Sequence, residues 1–342
     1  MTALTNGKTH SPENVLVTGG GGFLGRAIVR RLVKRGDRVR SLNRQFYPEL
    51  KTLGVDQIQG DISDASIVDK SCRNRDVVYH VAAKPPPWGA YDEYYHCNVV
   101  GTRNVIRACR SQYVQRLVHT STPSVIFNGR HLEGVDESMP YPSRYISHYA
   151  ATKADAEKEV VNAASESLKT IVLRPHEIWG PEDPHFLPRL IKRAGHLKRI
   201  GNGRNRVDTI YIDNAADAHL LAADGLSVRP GLSGKIYFIT QDEPIEAWEM
   251  INALLHAAGL PPVKGTIPFR LAWLIGAALE FLYKTFHIDG EPKMTRFLAE
   301  ALATSHWFDI SAAKRDLGYT PGVSTAEGLR RLALWLNEKK EV

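Results

Sequence analysis

Val15-Leu-Val-Thr18-Gly19-Gly-Gly-Gly22-Phe23-Leu24-Gly25-Arg26 decides how the rest of the chain is read. A short apolar run enters four consecutive glycines, and a helical pattern opens at Phe23. Strand, glycine turn and helix start together make a phosphate-binding device. Backbone N–H groups at the helix start point at an anion, and the helix dipole favours its negative charge. Glycine serves there because a Cβ would block both the approach of a diphosphate and a φ > 0 turn. Two registers fit: Gly20, Gly22 and Gly25 form GxGxxG, and Gly19, Gly22 and Gly25 form the wider GxxGxxG. A P-loop does not fit, because Arg26-Ala27 follows Gly25 where Lys-Ser/Thr is required.

The segments around this stretch alternate between strand and helix. Val15–Thr18, Arg38–Leu42, Val55–Gln59, Asp76–His80, Arg116–Thr120 and Thr170–Leu173 read as strands. Helical patterns over Phe23–Lys34, Asp64–Cys72, Tyr91–Ser111 and Tyr145–Glu166 lie between them. Such alternation specifies an α/β fold with a doubly wound parallel sheet, the Rossmann arrangement, whose ligands sit beyond the carboxyl ends of the strands. The segments of interest fall at those ends. Asn43-Arg44 closes the second strand, where a carboxylate would repel an adenosine 2′-phosphate; a guanidinium there, helped by Arg26, favours NADP(H) over NAD(H). Small residues at Ala82 and Ala83, followed by Lys84, let a cofactor lie against the fourth strand. Pro85-Pro-Pro-Trp88-Gly89 is a stiff loop at the same edge.

Beyond Pro175 the texture changes. A helix is expected over His185–Leu197, strands over Arg206–Ile212 and Lys235–Thr240, a helix over Asp213–Gly225, and mostly helix thereafter. The expected organisation is a flexible tail over 1–13, an NADP-binding Rossmann domain over 14–175, and a smaller, mostly helical substrate-binding region over 176–342. Within that region, 206–240 partly returns to the Rossmann sheet.

Bulk properties limit the function. The 342 residues are 43% hydrophobic and 24% charged, an ordinary globular composition. The polar N-terminus resembles neither a signal nor a transit peptide. Cys72, Cys97 and Cys109 form no CxxC pair, which fits a reducing compartment and a cytoplasmic location. The net charge is +7, but the basic residues are dispersed, so no nucleic-acid partner is expected. Their one cluster, Arg26, Arg30, Arg31, Lys34 and Arg35, reads as the solvated face of the first helix, with Arg26 the exception at the phosphate end. The 13 histidines show no metal-ligand spacing, and no metal is expected. His148 and His176 adjoin motif residues and either line the pocket or pack. Phe269–Phe286 is strongly apolar but contains Arg270, Glu280 and Lys284. A lid over an apolar pocket fits better than a membrane span, with peripheral membrane contact as the other reading.

Tyr149 and Lys153 stand at i and i+4, so both reach one face of a helix. A free tyrosine, with a pKa of about 10, is a poor acid at neutral pH. An adjacent ammonium stabilises its phenolate and lets it pass a proton to a developing alkoxide. Thr122 or Ser121, after the fifth strand, is placed to hold the same oxygen. A second YxxxK, Tyr47 to Lys51, contains Pro48 and lacks a preceding hydroxyl cluster, so it reads as a chance occurrence.

From Val15 to about Leu336 the chain resembles the extended short-chain dehydrogenase/reductase superfamily. The residues that carry this are Thr18-Gly19, Gly22-Phe23, Gly25, Asp61-Ile62, His80-Val-Ala-Ala83, Asn98-Val-Val-Gly101-Thr102, Thr120-Ser-Thr-Pro-Ser-Val125, the Tyr149–Lys153 pair and Leu173-Arg-Pro175. Ser124-Val-Ile-Phe-Asn-Gly129, Ser305-His-Trp-Phe-Asp-Ile-Ser-Ala-Ala313 and Asp316-Leu-Gly-Tyr319 are similar to its 3β-hydroxysteroid dehydrogenase branch. Within that branch, Asn43-Arg44, Tyr47-Pro-Glu-Leu50, Trp88-Gly89-x-Tyr91-Asp92 and Glu291-Pro-x-Met-Thr-Arg296 resemble the bacterial reductases of 2-alkyl-3-oxoalkanoates in long-chain olefin biosynthesis.

The resemblance implies roles. Tyr149 is the proton donor, Lys153 binds the nicotinamide ribose, and Thr122 aligns with the catalytic Ser/Thr. Gly19, Gly22, Phe23, Leu24, Gly25, Asn43, Arg44, Ala82, Ala83 and Lys84 face the cofactor. Asp61 and Ile62 contact adenine, and Pro175 lies against the nicotinamide. It also implies NADPH-dependent reduction of a long-chain β-keto acid, a homodimer, and a hetero-complex with other enzymes of the pathway. A 3β-hydroxysteroid or sterol-carboxylate dehydrogenase is the alternative. A non-catalytic NADP(H) sensor is the reading from another class, although such sensors typically lose the Tyr-Lys pair.

Overall fold

A computed structural model describes residues 11–86 and 88–339; most of the expected tail lies outside the described residues. Glu13, assigned to that tail by the sequence, is tied to the domain. Its N–H donates to Asp37 (3.0 Å), and its carboxylate pairs with Arg116.

Seven parallel strands form the main sheet: β1 (Asn14–Thr18), β2 (Arg38–Asn43), β3 (Asp56–Gln59), β4 (Val77–His80), β5 (Arg116–Thr120), β6 (Lys169–Pro175) and β7 (Lys235–Ile239). Their order is β7-β6-β5-β4-β1-β2-β3, so the direction of winding reverses between β1 and β4. That reversal opens the crevice in which such sheets bind ligands. The strands are apolar on both faces. Val15, Val17, Tyr79, Val118 and Ile171 enter one buried layer, while Leu16, Val78, Leu117 and Val172 enter the other. Period-two alternation with both faces covered is what a parallel strand requires.

The principal helices are α1 (Phe23–Arg35), α2 (Gly101–Ser111), α3 (His148–Asn162), α4 (Phe186–Arg193), α5 (Ile212–Val228), α6 (Ala247–Ala257), α7 (Phe269–Thr285) and α8 (Arg296–Ala303). Gly36, left-handed at φ 95°, ends α1. The basic cluster of α1 is only in part a solvated face: Arg30 and Lys34 are exposed, and Arg31 and Arg35 are not. Arg31 meets Asp213 at 2.9 Å and pairs with Asp217, and Arg35 meets Asp224 at 2.8 Å. These acids lie on α5, so Arg31 and Arg35 form an ion-pair seam between two helices on the sheet, while Lys34 stays exposed. Arg26 and Arg30 pair with Glu49 and Glu182 respectively, at 2.7 and 3.1 Å.

The second half adds a four-stranded sheet in the order Ile245–Glu246, Arg206–Val207, His306–Phe308, Leu132–Val135. The expected strand over Arg206–Ile212 is broken in two. Arg206–Val207 joins this small sheet, and Ile210–Tyr211 pairs instead with Ile178–Trp179. The residues between make the crossing: Asp208 accepts the Phe308 N–H (2.8 Å), and Thr209 accepts the Trp179 indole N–H (3.1 Å).

α7 does not cover a pocket. It buries Ala272, Gly276 and Glu280 against the start of α8. A Cβ on Gly276 would fall 2.6 Å from the carbonyl carbon of Thr295, and Glu280 accepts both the N–H and the Nε–H of Arg296 (2.7 and 2.8 Å). Leu274, Phe281 and Phe286 point outward. Among the described residues, no helix is long and apolar enough to cross a membrane.

Candidate active site

The glycine turn is shaped by close approach. Gly19 has φ +71°, and a Cβ there would lie 3.0 Å from the Ala82 backbone. A Cβ on Gly25 would lie 2.1 Å from the Gly19 carbonyl oxygen. These contacts make glycine necessary at 19 and 25, and a Cβ on Gly20 would fall 2.3 Å from Ser41 Oγ, so close packing holds the glycines of both registers. Gly22 caps α1 without a side chain, and the first turn holds no acid. The first-turn amides, including those of Phe23 and Leu24, therefore remain available to an anion. Thr18 closes the other side: its hydroxyl accepts the N–H groups of Val81 and Ala82, both at 3.2 Å. Asn43 secures the loop to the sheet, accepting the Gly21 N–H (2.9 Å) and donating to Ser41 (2.8 Å). The Tyr47 ring packs against Gly21, a structural use for the second YxxxK. This cradle, which side chains at 19 or 25 would fill, fits the diphosphate of a nicotinamide dinucleotide.

Several expected cofactor residues use their side chains elsewhere. Asp61 accepts from the Ser63 N–H and hydroxyl (2.8 and 2.7 Å). Ile62 is buried beneath Gly101. Lys84 pairs with Glu93 at 3.0 Å and lies over the Tyr94 ring. Arg26 is occupied by Glu49. Arg44, by contrast, is exposed, and its guanidinium has no ion-pair partner among the described residues.

The catalytic candidates meet at the end of β5. Thr122 caps a short turn over Pro123–Ile126, its hydroxyl bonded to Ser124 (3.2 Å), and its side chain lies beside the Tyr149 phenol. Burial raises the Tyr149 pKa, and the Thr122 side chain opposes that shift. The phenol therefore keeps its proton at neutral pH. Lys153, one turn along α3, is buried; its ammonium donates to the Thr120 carbonyl (2.7 Å) and lies 3.3 Å from His119 Nε2. Its hydrogen bonds go to these groups and not to Tyr149. Burial lowers its pKa to about 8, with Glu157 and Cys97 opposing. Ser121, the other hydroxyl expected here, is buried with its oxygen unpartnered. Pro175 ends β6 at the same level.

Beneath these groups lies a layer that the motifs did not reveal. Thr18, His80 and His119 are neighbours across β1, β4 and β5. His80 sits 2.8 Å from the Thr18 hydroxyl and 2.9 Å from that of Thr102; His219 sits 2.9 Å from that of Thr120. Burial pushes His80 down to about 3 and His219 to about 4, and drives His119 well below its ordinary value, with Lys153 adding to the shift. All three are neutral at pH 7. Asn98 lies in a π-helical turn over Tyr95–Val100 and links the Lys84 N–H (2.8 Å) to Thr152 (3.1 Å), next to Lys153. The Arg174 guanidinium meets the Glu157 carboxylate through two bonds, at 2.5 and 3.0 Å, and fastens α3 to β6.

A cavity of about 360 Å³ adjoins this centre. Pro123 and Ser124 form its near end, and α4, α6 and α8 supply apolar walls that include Leu190, Trp248, Leu254 and Phe297. α7 contributes nothing to this wall, which corrects its assignment as a lid. His176 lines the cavity with Nδ1 unpartnered, while His148 packs edge-on to Tyr91. Among the described residues, no cluster of side chains could hold a metal ion.

The model of the 3-beta hydroxysteroid dehydrogenase/isomerase family matches residues 16–270. The chain belongs to this family. As a member it is an NAD(P)-dependent oxidoreductase acting on CH–OH and C=O groups. Its relatives include a 2-alkyl-3-oxoalkanoate reductase of Stenotrophomonas maltophilia (strain K279a), 50% identical over 93% of this chain and 98% of the relative. Another protein of that name, from Shewanella oneidensis, is 48% identical over 94% and 85%. Among solved structures, MoeE5 in complex with UDP-glucose and NAD matches with a TM-score of 0.74 and 25% identity, covering 96% of this chain and 99% of that one.

Proposed function

We propose that this protein reduces the 3-keto group of a 2-alkyl-3-oxoalkanoate to the 3-hydroxy acid with NADPH, as a step of long-chain olefin biosynthesis. The observation that carries this reading is the meeting of Thr122 and Tyr149 at the edge of an apolar cavity. The two relatives of the same name, matched over nearly their full lengths, support it. The cofactor, when bound, supplies hydride to the carbonyl carbon. Thr122 and Tyr149 hold the carbonyl oxygen, and Tyr149 donates its proton as negative charge develops there. Lys153 binds the nicotinamide ribose and supports the phenolate that remains. The glycine turn and the first-turn amides hold the diphosphate. Arg44 takes the 2′-phosphate, which underlies the preference for NADPH.

Residues 14–175 bind cofactor and 176–342 select substrate in this reading. The protein is a homodimer that joins other enzymes of its pathway, which native mass spectrometry of the purified and co-expressed proteins tests. The outward apolar face of α7, flanked by Arg270 and Lys284, makes peripheral contact with a membrane; flotation with anionic vesicles tests this.

The deciding experiment supplies NADPH with a 2-alkyl-3-oxoalkanoate, and in parallel NAD(P)+ with a 3β-hydroxysteroid. Turnover of the fatty β-keto acid with at least tenfold higher kcat/KM is expected. Turnover of the steroid alone would replace this reading with the sterol one, and turnover of neither would overturn both.

A further inference from the structure

The cavity wall is mostly apolar, and its charged side chains, Glu177 apart, gather at one corner. Arg189 and Arg193 stand one turn apart on α4, and Glu291 lies against both. Arg189 Nε (3.2 Å) and Arg193 Nη2 (3.1 Å) reach the same oxygen, Glu291 Oε1. Arg193 also donates to the Lys293 carbonyl (3.3 Å). The terminal nitrogens of Arg189 have no hydrogen-bond partner among the described residues. All three residues line the cavity. Two cations against one anion leave this corner with one uncompensated positive charge beside Phe186, Leu190 and Leu298, which offer no counter-charge. The other carboxyl of the wall, Glu177, is pushed up by burial and by Asp183, towards its neutral form.

Tyr94 links the corner to the catalytic candidates. The Tyr94 phenol donates to Pro85 (3.1 Å), itself part of the cavity wall; burial raises its pKa, with Glu93 and Glu291 adding to the shift and Arg189 opposing it. The Tyr94 ring meets that of Tyr149 edge-on, with centroids 6.3 Å apart. In a β-keto acid the carboxylate carbon is two bonds from the carbonyl carbon. A cation that fixes it must stand beside the catalytic tyrosine, not at the far end of the alkyl pocket.

We propose that Arg189, held in place by Glu291 and Arg193, is the subsite for the carboxylate β to the reacting carbonyl. This rests on the reductase reading above and adds the group by which the acid is selected. The fork of a guanidinium matches a carboxylate through two parallel bonds. A substrate anion also neutralises the corner, where the half-buried Arg189 presents its guanidinium to the cavity. Arg193 and Glu291 are positioning residues: they fix the direction of Arg189 without touching substrate.

The test compares a 2-alkyl-3-oxoalkanoic acid with its methyl ester, using the full-length protein and NADPH. In Arg189→Gln, the ratio of kcat/KM for acid over ester is expected to fall roughly 10- to 100-fold, mainly through KM for the acid. Arg189→Lys, which keeps the charge but not the fork, should recover part of that ratio. Calorimetric binding of an unreactive 2-alkyl fatty acid reads the subsite without turnover and should weaken by a similar factor in Arg189→Gln. A wild type that binds this acid but reduces neither substrate would sink the reductase reading and leave the subsite standing. Equal losses on acid and ester, or an unchanged affinity for the unreactive acid, would overturn the subsite.

Discussion

At the carboxyl ends of β1, β4 and β5, side chains are polar, buried and bonded to neighbours in register, as with Thr18, His80 and His119. A few residues further on, the cavity is walled by apolar side chains from α4, α6 and α8, with little but shape to position them. The first region holds atoms to hydrogen-bond tolerances, which proton transfer needs. The second tolerates substitution of like volume, which suits long alkyl chains of varied length. Chemistry and selectivity are thus carried by different kinds of packing within one site.

The strongest challenge to that division is Tyr149→Phe. It should lower reductase kcat by roughly 100- to 10,000-fold while cofactor affinity, read by fluorescence quenching, stays within about twofold. A mild loss would mean that the polar region positions substrate without catalysing.

Lys153→Met tests the cost of burying an ammonium there. The folded pKa is about 8, below the ordinary value of about 10.4. The native state therefore holds fewer protons between these values, and wild-type stability rises with pH across that window. Relative to wild type, Lys153→Met should lose roughly 3 kcal/mol on going from pH 7 to pH 10.5. Urea unfolding of the cofactor-free proteins at the two pH values measures this, and a pH-independent difference would contradict it.

A smaller effect is expected at the adenosine end. Arg44→Ala should lower kcat/KM with NADPH roughly 10- to 100-fold and leave NADH within about twofold. Equal losses with both cofactors would assign Arg44 to folding.

The smallest effect concerns α7. Phe281→Ser should leave turnover of a soluble short-chain substrate within about twofold, because this side chain points away from the cavity. A large rise in KM would restore the lid.

What could be read in the sequence follows the range of the interactions. Gly19 to Gly25 and Tyr149 to Lys153 are local: one turn of chain brings the partners together, so spacing alone locates them. Thr122 was legible from its place after β5. The use of Asn43 to hold Gly21 was not legible, because it depends on how the glycine turn folds back onto the end of β2. The direction of α7 was hidden because an apolar helix does not say which face finds a neighbour; Gly276 and Glu280 decide it through contacts with Thr295 and Arg296. The seam of α1 depends on acids that α5 brings across. The pairing of Arg193 with Glu291 spans 98 residues, and no periodic pattern encodes it.

The neutral histidines beneath the reaction centre carry a further consequence. With His80 near 3, His219 near 4 and His119 lower than its ordinary value, the floor takes up no proton across the range in which cells live. Lys153, near 8, lies beside imidazoles that act there as fixed dipoles and not as buffers. Mild acidification therefore changes the charge of this layer very little.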